Sequence, residues 1–499
     1  MRLRELLAHL PGATPLDPGD PEIRGVTCDS RRVRPGDLFA AVPGARVDGH
    51  AFAPAAAAAG ASVCLVARDV SAPGAVRVRV PDPEAALGRA SSAFHGHPSR
   101  AVRVVGITGT NGKTTTAFLV QHILASEGRI TARLGTVGYA FPSGEEPAPL
   151  TTPDAETLQA ALARARAEGA QDVVMEVSSH ALARQRVEGT RFACVAFTNL
   201  TQDHLDYHGT LEAYFEAKRS LFTRYAPEAP AAVNADDPFG RRLLGELGDR
   251  AVPFGVGEGE GLRVLVDEEG PWGFRGRVRL RGREAPLALP LAGRFNAANA
   301  ACALACAVAL GVDLARAARD LASAPAVPGR IEAVPNRLGI GVYVDYAHTP
   351  DALDRVLETV AAVTRGRVIA VFGCGGDRDR TKRAPMARAA ARWARAIVLT
   401  ADNSRSEPTE RILDEIEAGM PEGWRRTGSA AGLGADRAYA RVPDRAEAIR
   451  WAVAAARPGD AVVIAGKGHE TTQTLGDRVL PFDDRVEARR ALAEREAAA

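Results

Sequence analysis

The 499-residue chain is short of sulfur, of aromatic side chains and of net charge. Its six cysteines (28, 64, 194, 302, 306 and 374) contain no Cys-x-x-Cys pair and are too sparse along the chain for a disulfide framework, so reduced thiols are the expectation. Cys302 and Cys306 could share one face of a helix, but in "AACALACAVAL" they read as small core residues before metal ligands. Charge nearly cancels: 63 Lys and Arg oppose 61 Asp and Glu, a formal +2, with the signs well mixed. No basic field advertises nucleic acid or an anionic membrane, so the expected partners are small molecules. The longest apolar stretch, Ala300 to Leu310, falls far short of the roughly 20 residues that cross a bilayer. The opening "MRLRELLAHLPG" has charges where a signal peptide needs an unbroken apolar run, so the cytoplasm is the expected location.

What is present is ample apolar material, 46% of the residues, in a chain long enough for about three domains of roughly 150 residues. Residues 1–97 mix short strands such as "VRVRV" with an Ala-rich run at 51–61. Residues 98–330 alternate strand-like runs (102–107, 173–177, 194–197) with helical patterns, the signature of βαβ units and a mostly parallel sheet. After the Pro- and Gly-punctuated "ASAPAVPGR", residues 331–499 repeat the theme: "VYVDYAH", "RVIAVFGCGG", "AIVLTADN" and "AVVIAGKG" each read as a strand entering a polar or glycine-rich loop. The expected fold is α/β in three domains, with a mostly parallel central sheet and a doubly wound third domain. Functional residues of such sheets gather beyond the carboxyl ends of the strands.

"VVGITGTNGKTTTAFLV" (104–120) carries the Gly-Lys-Thr of a phosphate loop, yet Ile107 stands where the commonest pattern needs its first glycine. The context is still strand, loop and helix, with Lys113 to Ser126 helical before Gly128. Glycines let N–H groups turn toward phosphate oxygens, Lys113 reaches the terminal phosphates and Thr114 can hold Mg²⁺. Glu176 ends the apolar run in "DVVMEVSSHAL", where a carboxylate could help hold that ion or form an edge-strand salt bridge. The loop with Asp203, His204, Asp206 and His208 reads equally as a second metal or phosphate site, zinc included, or as solvated polar residues. Lys218 falls in register with Leu211, Phe215 and Phe222 on the apolar face of a helix over 211–222, against the usual surface position of lysine. In the third block, "GCGGDRDRTKR" has four cationic residues for an anion grip. Together with "TADNSRSE" and "AGKGHET" it places opposite charges at strand ends, which suits a zwitterion such as an amino acid.

"GITGTNGKTTT", "MEVSSHAL", "TNLTQDHLDYHGTLEAYFEAKRSLF", "VDYAHTPDAL", "FGCGGDRD" and "AGKGHE", in this order, resemble the Mur ligases, most closely the MurE branch that adds the third amino acid to UDP-N-acetylmuramoyl-L-Ala-D-Glu. The resemblance implies that ATP phosphorylates the γ-carboxyl of D-glutamate and that an incoming amine displaces phosphate, for peptidoglycan synthesis. It implies that Gly109, Thr110, Asn111, Gly112, Lys113, Thr114 and Thr115 hold the ATP phosphates. Asn299 and Arg330 would contact adenine and phosphate, and Asp345 the ribose. One Mg²⁺ would fall to Thr114 and Glu176 and a second to His204, with Lys218 carbamylated by CO₂ to join the metal site. Catalysis would rest on Lys113, Glu176, His204 and Lys218. Ser30 would meet the uridine end, and Thr151, Thr152, Ser178 and Arg186 the muramoyl-dipeptide, in a first domain that binds UDP. Relatives often carry Gln where Arg184 stands.

For the added amino acid the resemblance points to Arg378, Asp402, Asn403, Ser404, Arg405, Gly466 and Glu470. Users of meso-diaminopimelate carry Asp-Asn-Pro-Arg; here Ser404 replaces the proline and Arg405 is kept to take the distal carboxylate. The expected partners are therefore UDP-N-acetylmuramoyl-L-Ala-D-Glu, meso-diaminopimelate and ATP, acted on by a monomer. Rival readings are a lysine- or ornithine-adding MurE, a folylpolyglutamate synthetase, a nucleotide switch or motor without ligase activity, and a catalytically inactive homologue.

Overall fold

The computed structural model describes residues 1–44, 47–270 and 273–498. Its chain divides into two compact units, the first built from Met1–Leu265, Val278–Ala285 and Ala298–Leu321, the second from Val266–Arg277, Pro286–Ala297 and the chain from Ala322 on.

The first unit contains two sheets. One runs in the order Thr14–Pro15, Val76–Arg79, Val63–Val66, Asp37–Ala40, Gly25–Thr27, parallel except for the first strand. Asp37–Ala40 and Val63–Val66 are buried along their whole length, as strands covered on both faces must be. The helix Pro83–Phe94 packs on this sheet; Asp82 caps it by accepting from Glu84 N and Ala85 N, and Pro83 occupies its first turn. The Ala-rich run yields only a 3₁₀ turn, Gly49–Phe52, and a short helix, Ala53–Ala58.

In the second sheet the phosphate-loop strand Arg103–Thr108 lies between Asp172–Glu176 and Phe192–Phe197, all parallel, with Thr131–Leu134 beyond one neighbour and Ala231–Asn234 and Ala251–Val256 beyond the other. The strand starts later than its apolar pattern begins because Pro98–Arg100 forms a 3₁₀ turn. The helix Lys113–Ser126 is as expected, whereas the helix expected over 211–222 is α-helical only for Leu211–Ser220 and widens into a π turn over Leu221–Tyr225. That turn keeps Leu221 and Phe222 in the core with Phe197 and Phe215.

The second unit holds a doubly wound sheet in the order Glu332–Ala333, Gly341–Asp345, Ala461–Ala465, Val368–Phe372, Ala396–Leu399, Ala438–Arg441, Arg425–Arg426, parallel except for the first strand. Apolar clusters around Leu353, Phe372 and Met386 on one face and Val344, Ile449 and Leu492 on the other bury it on both sides. The three sheets match the expected α/β arrangement. Among the described residues, no helix is long and apolar enough to cross a membrane.

Candidate active site

The odd glycine spacing has a structural cause. Gly106 is inside the strand, where a Cβ would stand 2.7 Å from the Phe192 ring, so this glycine serves packing. Gly109 and Gly112 make the loop: both have positive φ (148° and 83°), and a Cβ would come within 1.8 Å of Thr198 Oγ1 or 2.3 Å of Asn299 Oδ1. The loop is held from the next strand's end. Asn199 accepts from Thr110 N through its carbonyl (2.8 Å) and from Asn111 N through its side chain (2.9 Å), while Thr198 Oγ1 donates to Asn111 O at 2.6 Å. Thr198 and Asn199 lie in the quoted "TNLTQD", but only the fold shows that they brace the loop. Lys113 Nζ donates to Gly109 O and Thr110 O, both at 2.9 Å.

Thr114 and Glu176 come together as expected: Thr114 Oγ1 donates to Glu176 Oε2 at 3.0 Å. The buried Glu176 carboxylate also accepts from Thr136 N (2.8 Å) and Thr136 Oγ1 (3.2 Å), which places Thr136, absent from the expected set, in this cluster. The edge-strand salt bridge is not what forms. A hydroxyl beside a carboxylate is a hard oxygen pair suited to Mg²⁺, which also keeps water and takes phosphate oxygens.

Lys218 is 1% exposed, as its helical register required and its residue type argued against. Its Nζ donates to Gly109 O at 2.8 Å and stands 4.4 Å from the Tyr214 ring centroid. Lys113 and Lys218 thus share one carbonyl oxygen. Burial and then the neighbouring Lys113 push the Lys218 pKa well below that of an ordinary lysine, which favours a neutral amine. His204 has φ 53°, and its ring is edge-on to His180 at 4.7 Å, with Nε2 3.5 Å from Asp203 Oδ2. His208 instead turns to Ser179 Oγ at 3.0 Å. The two histidines do not converge on a zinc site, and among the described residues no group of three or more His, Cys, Asp or Glu is placed to hold a metal. Burial, with His204 and His208 nearby, lowers the His180 pKa to about 4.

The expected dipeptide contacts form one network. Thr151 Oγ1 lies 3.1 Å from Thr136 Oγ1, Thr152 Oγ1 donates to Glu176 O (2.9 Å) and accepts from Ser178 N (3.0 Å), and Arg186 donates to Thr152 O (3.1 Å) while pairing with Asp154. Ser30 follows the strand Gly25–Thr27, and Glu156, a few residues beyond Thr152, accepts from Thr27 Oγ1 (3.1 Å) and Cys28 N (2.9 Å). Arg184 pairs with Glu84 at 2.9 Å and donates to Pro43 O, acting as a strut between segments. Asn299 is buried against Gly112, and Thr110 and Thr115 flank the same turn.

In the second unit both Asp345 oxygens take backbone N–H groups, from Ile331 and Ala347 at 2.7 Å each, and burial raises its pKa despite Arg330. The Arg330 guanidinium is 5.1 Å from the Tyr346 ring. The loop bearing Gly329 packs on the "GKG" loop, where a Cβ on Gly329 would meet Gly468 at 2.5 Å. In the cluster expected to hold the amino acid, Asn403 Nδ2 donates to Glu470 Oε2 (2.9 Å), and Asn403 Oδ1 accepts from Thr474 N (2.9 Å) and Lys467 Nζ (3.2 Å). Lys467 is fully buried, 3.0 Å from Glu470 and 3.9 Å from Asp402. Its place in "AGKGHET" was visible in the sequence; its role as the pillar of the cluster was not. Gly466 (φ 121°) lies against Asp402. Arg405 (φ 50°) donates through Nη1 to Gly376 O at 2.9 Å, and Ser404 Oγ lies 2.7 Å from Thr409 Oγ1, a restraint where proline would have fixed φ. The four-cation anion grip is corrected: Glu407 takes Arg380 and Arg383, and Lys382 donates to His348 O, leaving the exposed Arg378.

Family models match along the chain: the catalytic domain of the Mur ligase family at residues 22–95, the Mur ligase middle domain at 107–307, and the Mur ligase glutamate ligase domain at 329–468. A protein of Gloeobacter violaceus is 44% identical over 99% of both chains, and one of Thermosynechococcus vestitus 45% identical over 99% of this chain and 98% of its own. Both bear the name UDP-N-acetylmuramoyl-L-alanyl-D-glutamate--2,6-diaminopimelate ligase. A solved structure of a ligase with that name is 32% identical over 95% of each chain, with a TM-score of 0.69. The MurF ligase of Thermotoga maritima, solved in complex with ADP, shares the fold at 20% identity, covering 95% of this chain and 99% of its own with a TM-score of 0.63. With these matches covering nearly its full length, the chain belongs to the Mur ligase family.

Proposed function

We propose that this protein is an ATP-dependent ligase that joins meso-diaminopimelate to the D-glutamate γ-carboxyl of UDP-N-acetylmuramoyl-L-Ala-D-Glu through an acyl phosphate, in peptidoglycan synthesis. The observation that carries this reading is the meeting of Lys113 and Lys218 on Gly109 O beside the Thr114–Glu176 pair. A carboxylate is a poor electrophile, and phosphorylation supplies a leaving group. In the nucleotide complex Lys113 leaves the loop carbonyls for the terminal phosphates and offsets charge on the transferring phosphoryl group. Thr114 and Glu176 would hold Mg²⁺, which when bound neutralises phosphate charge. A neutral, buried Lys218 amine is the form that adds CO₂. The resulting carbamate would place an anion beside Lys113 and, with His204, serve a second Mg²⁺.

We assign residues 1–97 to UDP binding, 98–330 to ATP and 331–499 to the amino acid, in a cytoplasmic monomer. Asn299, Arg330 and Asp345 are assigned to the nucleoside and phosphates. Ser30, Thr151, Thr152, Ser178 and Arg186 are assigned to the UDP-dipeptide. Arg405 keeps Nε and Nη2 for a distal carboxylate, which lysine and ornithine lack, while Arg378, Asp402, Asn403, Ser404, Gly466 and Glu470 complete that site.

The test is mass spectrometry of products from protein, ATP, Mg²⁺ and the UDP-dipeptide, with meso-diaminopimelate, lysine and ornithine in separate reactions. Product with diaminopimelate alone is expected. Product only with lysine or ornithine would reassign Arg405, and ATP hydrolysis without product would overturn the ligase reading.

A further inference from the structure

A cavity of about 320 Å³ opens within the first unit, away from the phosphate loop, where the helix Pro83–Phe94, the turn Pro98–Arg100 and residues 189–191 meet His9. Arg89, Arg100, Arg191, His9 and His97 line it, and no carboxylate is among the described lining residues. Glu188, next along the chain from the lining Gly189, is already taken by Arg89 (2.9 Å) and Arg224 (3.1 Å). The side chains of Arg100 and Arg191 make no hydrogen bond or ion pair among the described residues. In a chain whose charges otherwise cancel to +2, this is a local excess of cations in a concave site.

The wall is built to persist. His97 is held at φ 49°, a left-handed conformation that a non-glycine residue keeps only where its surroundings over-determine it. Its ring is fixed by Ser92 Oγ at 3.3 Å and by the edge-on His9 ring at 4.7 Å. The buried Ser99 Oγ accepts from Arg191 N at 2.9 Å and keeps its own proton to donate. Burial, then Arg100 and His9, lower the His97 pKa, so His97 stands as a neutral hydrogen-bonding wall and the positive charge of the site comes from its arginines.

We propose that this cavity is a binding site for a small phosphate-bearing anion. Guanidinium forks match phosphate oxygens two at a time, and the double negative charge of a phosphate meets Arg100 and Arg191, whose side chains pair with no carboxylate among the described residues. The occupant would touch both the segment 92–100, which leads from the first sheet into the second, and the loop 189–191 of the second sheet's domain. This site is independent of the ligase assignment.

The experiment is isothermal titration of the full-length Lys113→Ala protein, whose phosphate loop has lost its lysine, with inorganic pyrophosphate and separately with ADP. Pyrophosphate should bind with a stoichiometry of one, and adding Arg100→Ala and Arg191→Ala should weaken it at least about tenfold. Both arginines are exposed, so an unchanged melting temperature is expected; if it drops, Arg191→Gln alone should weaken binding in the same direction. Tighter binding of ADP than of pyrophosphate, lost in the same variants, would identify a nucleotide as the source of the phosphate, and the reverse order a free anion. Absence of binding, binding untouched by the arginine substitutions, or equally tight binding of citrate would overturn the proposal.

Discussion

At the residue scale, the lysines carry the argument. Lys218 was legible through its register on the helix and through the family resemblance: the residue type alone argued for the surface, and burial against Gly109 O decides the matter. A permanently charged ammonium sharing a carbonyl with Lys113 would be repelled, so the site favours the neutral amine, the form that the proposed carbamate requires. Lys218→Ala should therefore abolish ligation, and millimolar-range bicarbonate or a short carboxylic acid should restore part of the rate by occupying the vacated space. An active variant, or one that no carboxylate rescues, would remove the carbamate role. Lys467 makes a different kind of claim, because it touches Asn403 and Glu470 and acts through them. Lys467→Met removes two charge-assisted hydrogen bonds, each of about 1.5 kcal/mol or more, and should raise the KM for the amino acid by at least about tenfold. The KM for ATP should stay nearly constant; equal rises in both would reduce Lys467 to a structural residue.

At the scale of elements, the strand–loop–helix around the phosphate loop was readable because a β-branched run, glycines and an apolar helical period follow one another in a single stretch. The division of labour among the glycines was not, since Phe192, Thr198 and Asn299 reach them from more than 80 residues away in sequence, as the fold shows. This separates two substitutions that look alike in the sequence. Gly106→Ala pushes a methyl group into the Phe192 ring and should destabilise the protein by about 1–3 kcal/mol, the usual cost of overpacking, while leaving the KM for ATP little changed. Gly109→Ala meets Thr198 at φ 148° and should abolish nucleotide binding. Urea unfolding alongside ATP titration checks both. Loss of nucleotide binding in the folded Gly106→Ala protein would return that glycine to the phosphate site. The π turn after Ser220 escaped the sequence for a related reason: a 3.6-residue period continued through Phe222 fits the pattern, and the wider turn answers to core residues on other strands.

For the whole molecule, stability should decline in two acid windows whose signs follow from opposite kinds of environment. Burial, reinforced by Arg166 at His95 and by Arg100 and His9 at His97, lowers both pKa values from 6.5. A depressed folded pKa means that the stabilisation is complete above the unfolded value and is lost as pH falls through the folded one, so the first decline begins below about pH 6.5. The second belongs to carboxylates. Arg77 hydrogen bonds hold Asp17 down to about 2, and Arg31 does the same for Asp29. Burial works to raise Asp460, but the backbone N–H groups of Arg367 and Arg457 and the Arg367 side chain overcome it. Their contribution is present above the unfolded pKa near 4 and disappears as pH drops toward 2. Glu156 and Asp172 oppose this, since burial raises both and their share is lost as pH rises. The lowered groups outnumber them, so melting temperature should be flat near neutrality, fall gently below pH 6.5 and steeply below pH 4. Asp17→Asn should lower the melting temperature at pH 7 and flatten the steep limb, because it removes a proton-linked contact with Arg77. An unchanged slope below pH 4 in that variant would show that the Asp17–Arg77 pair, which is exposed enough for water to screen it, contributes nothing to acid unfolding.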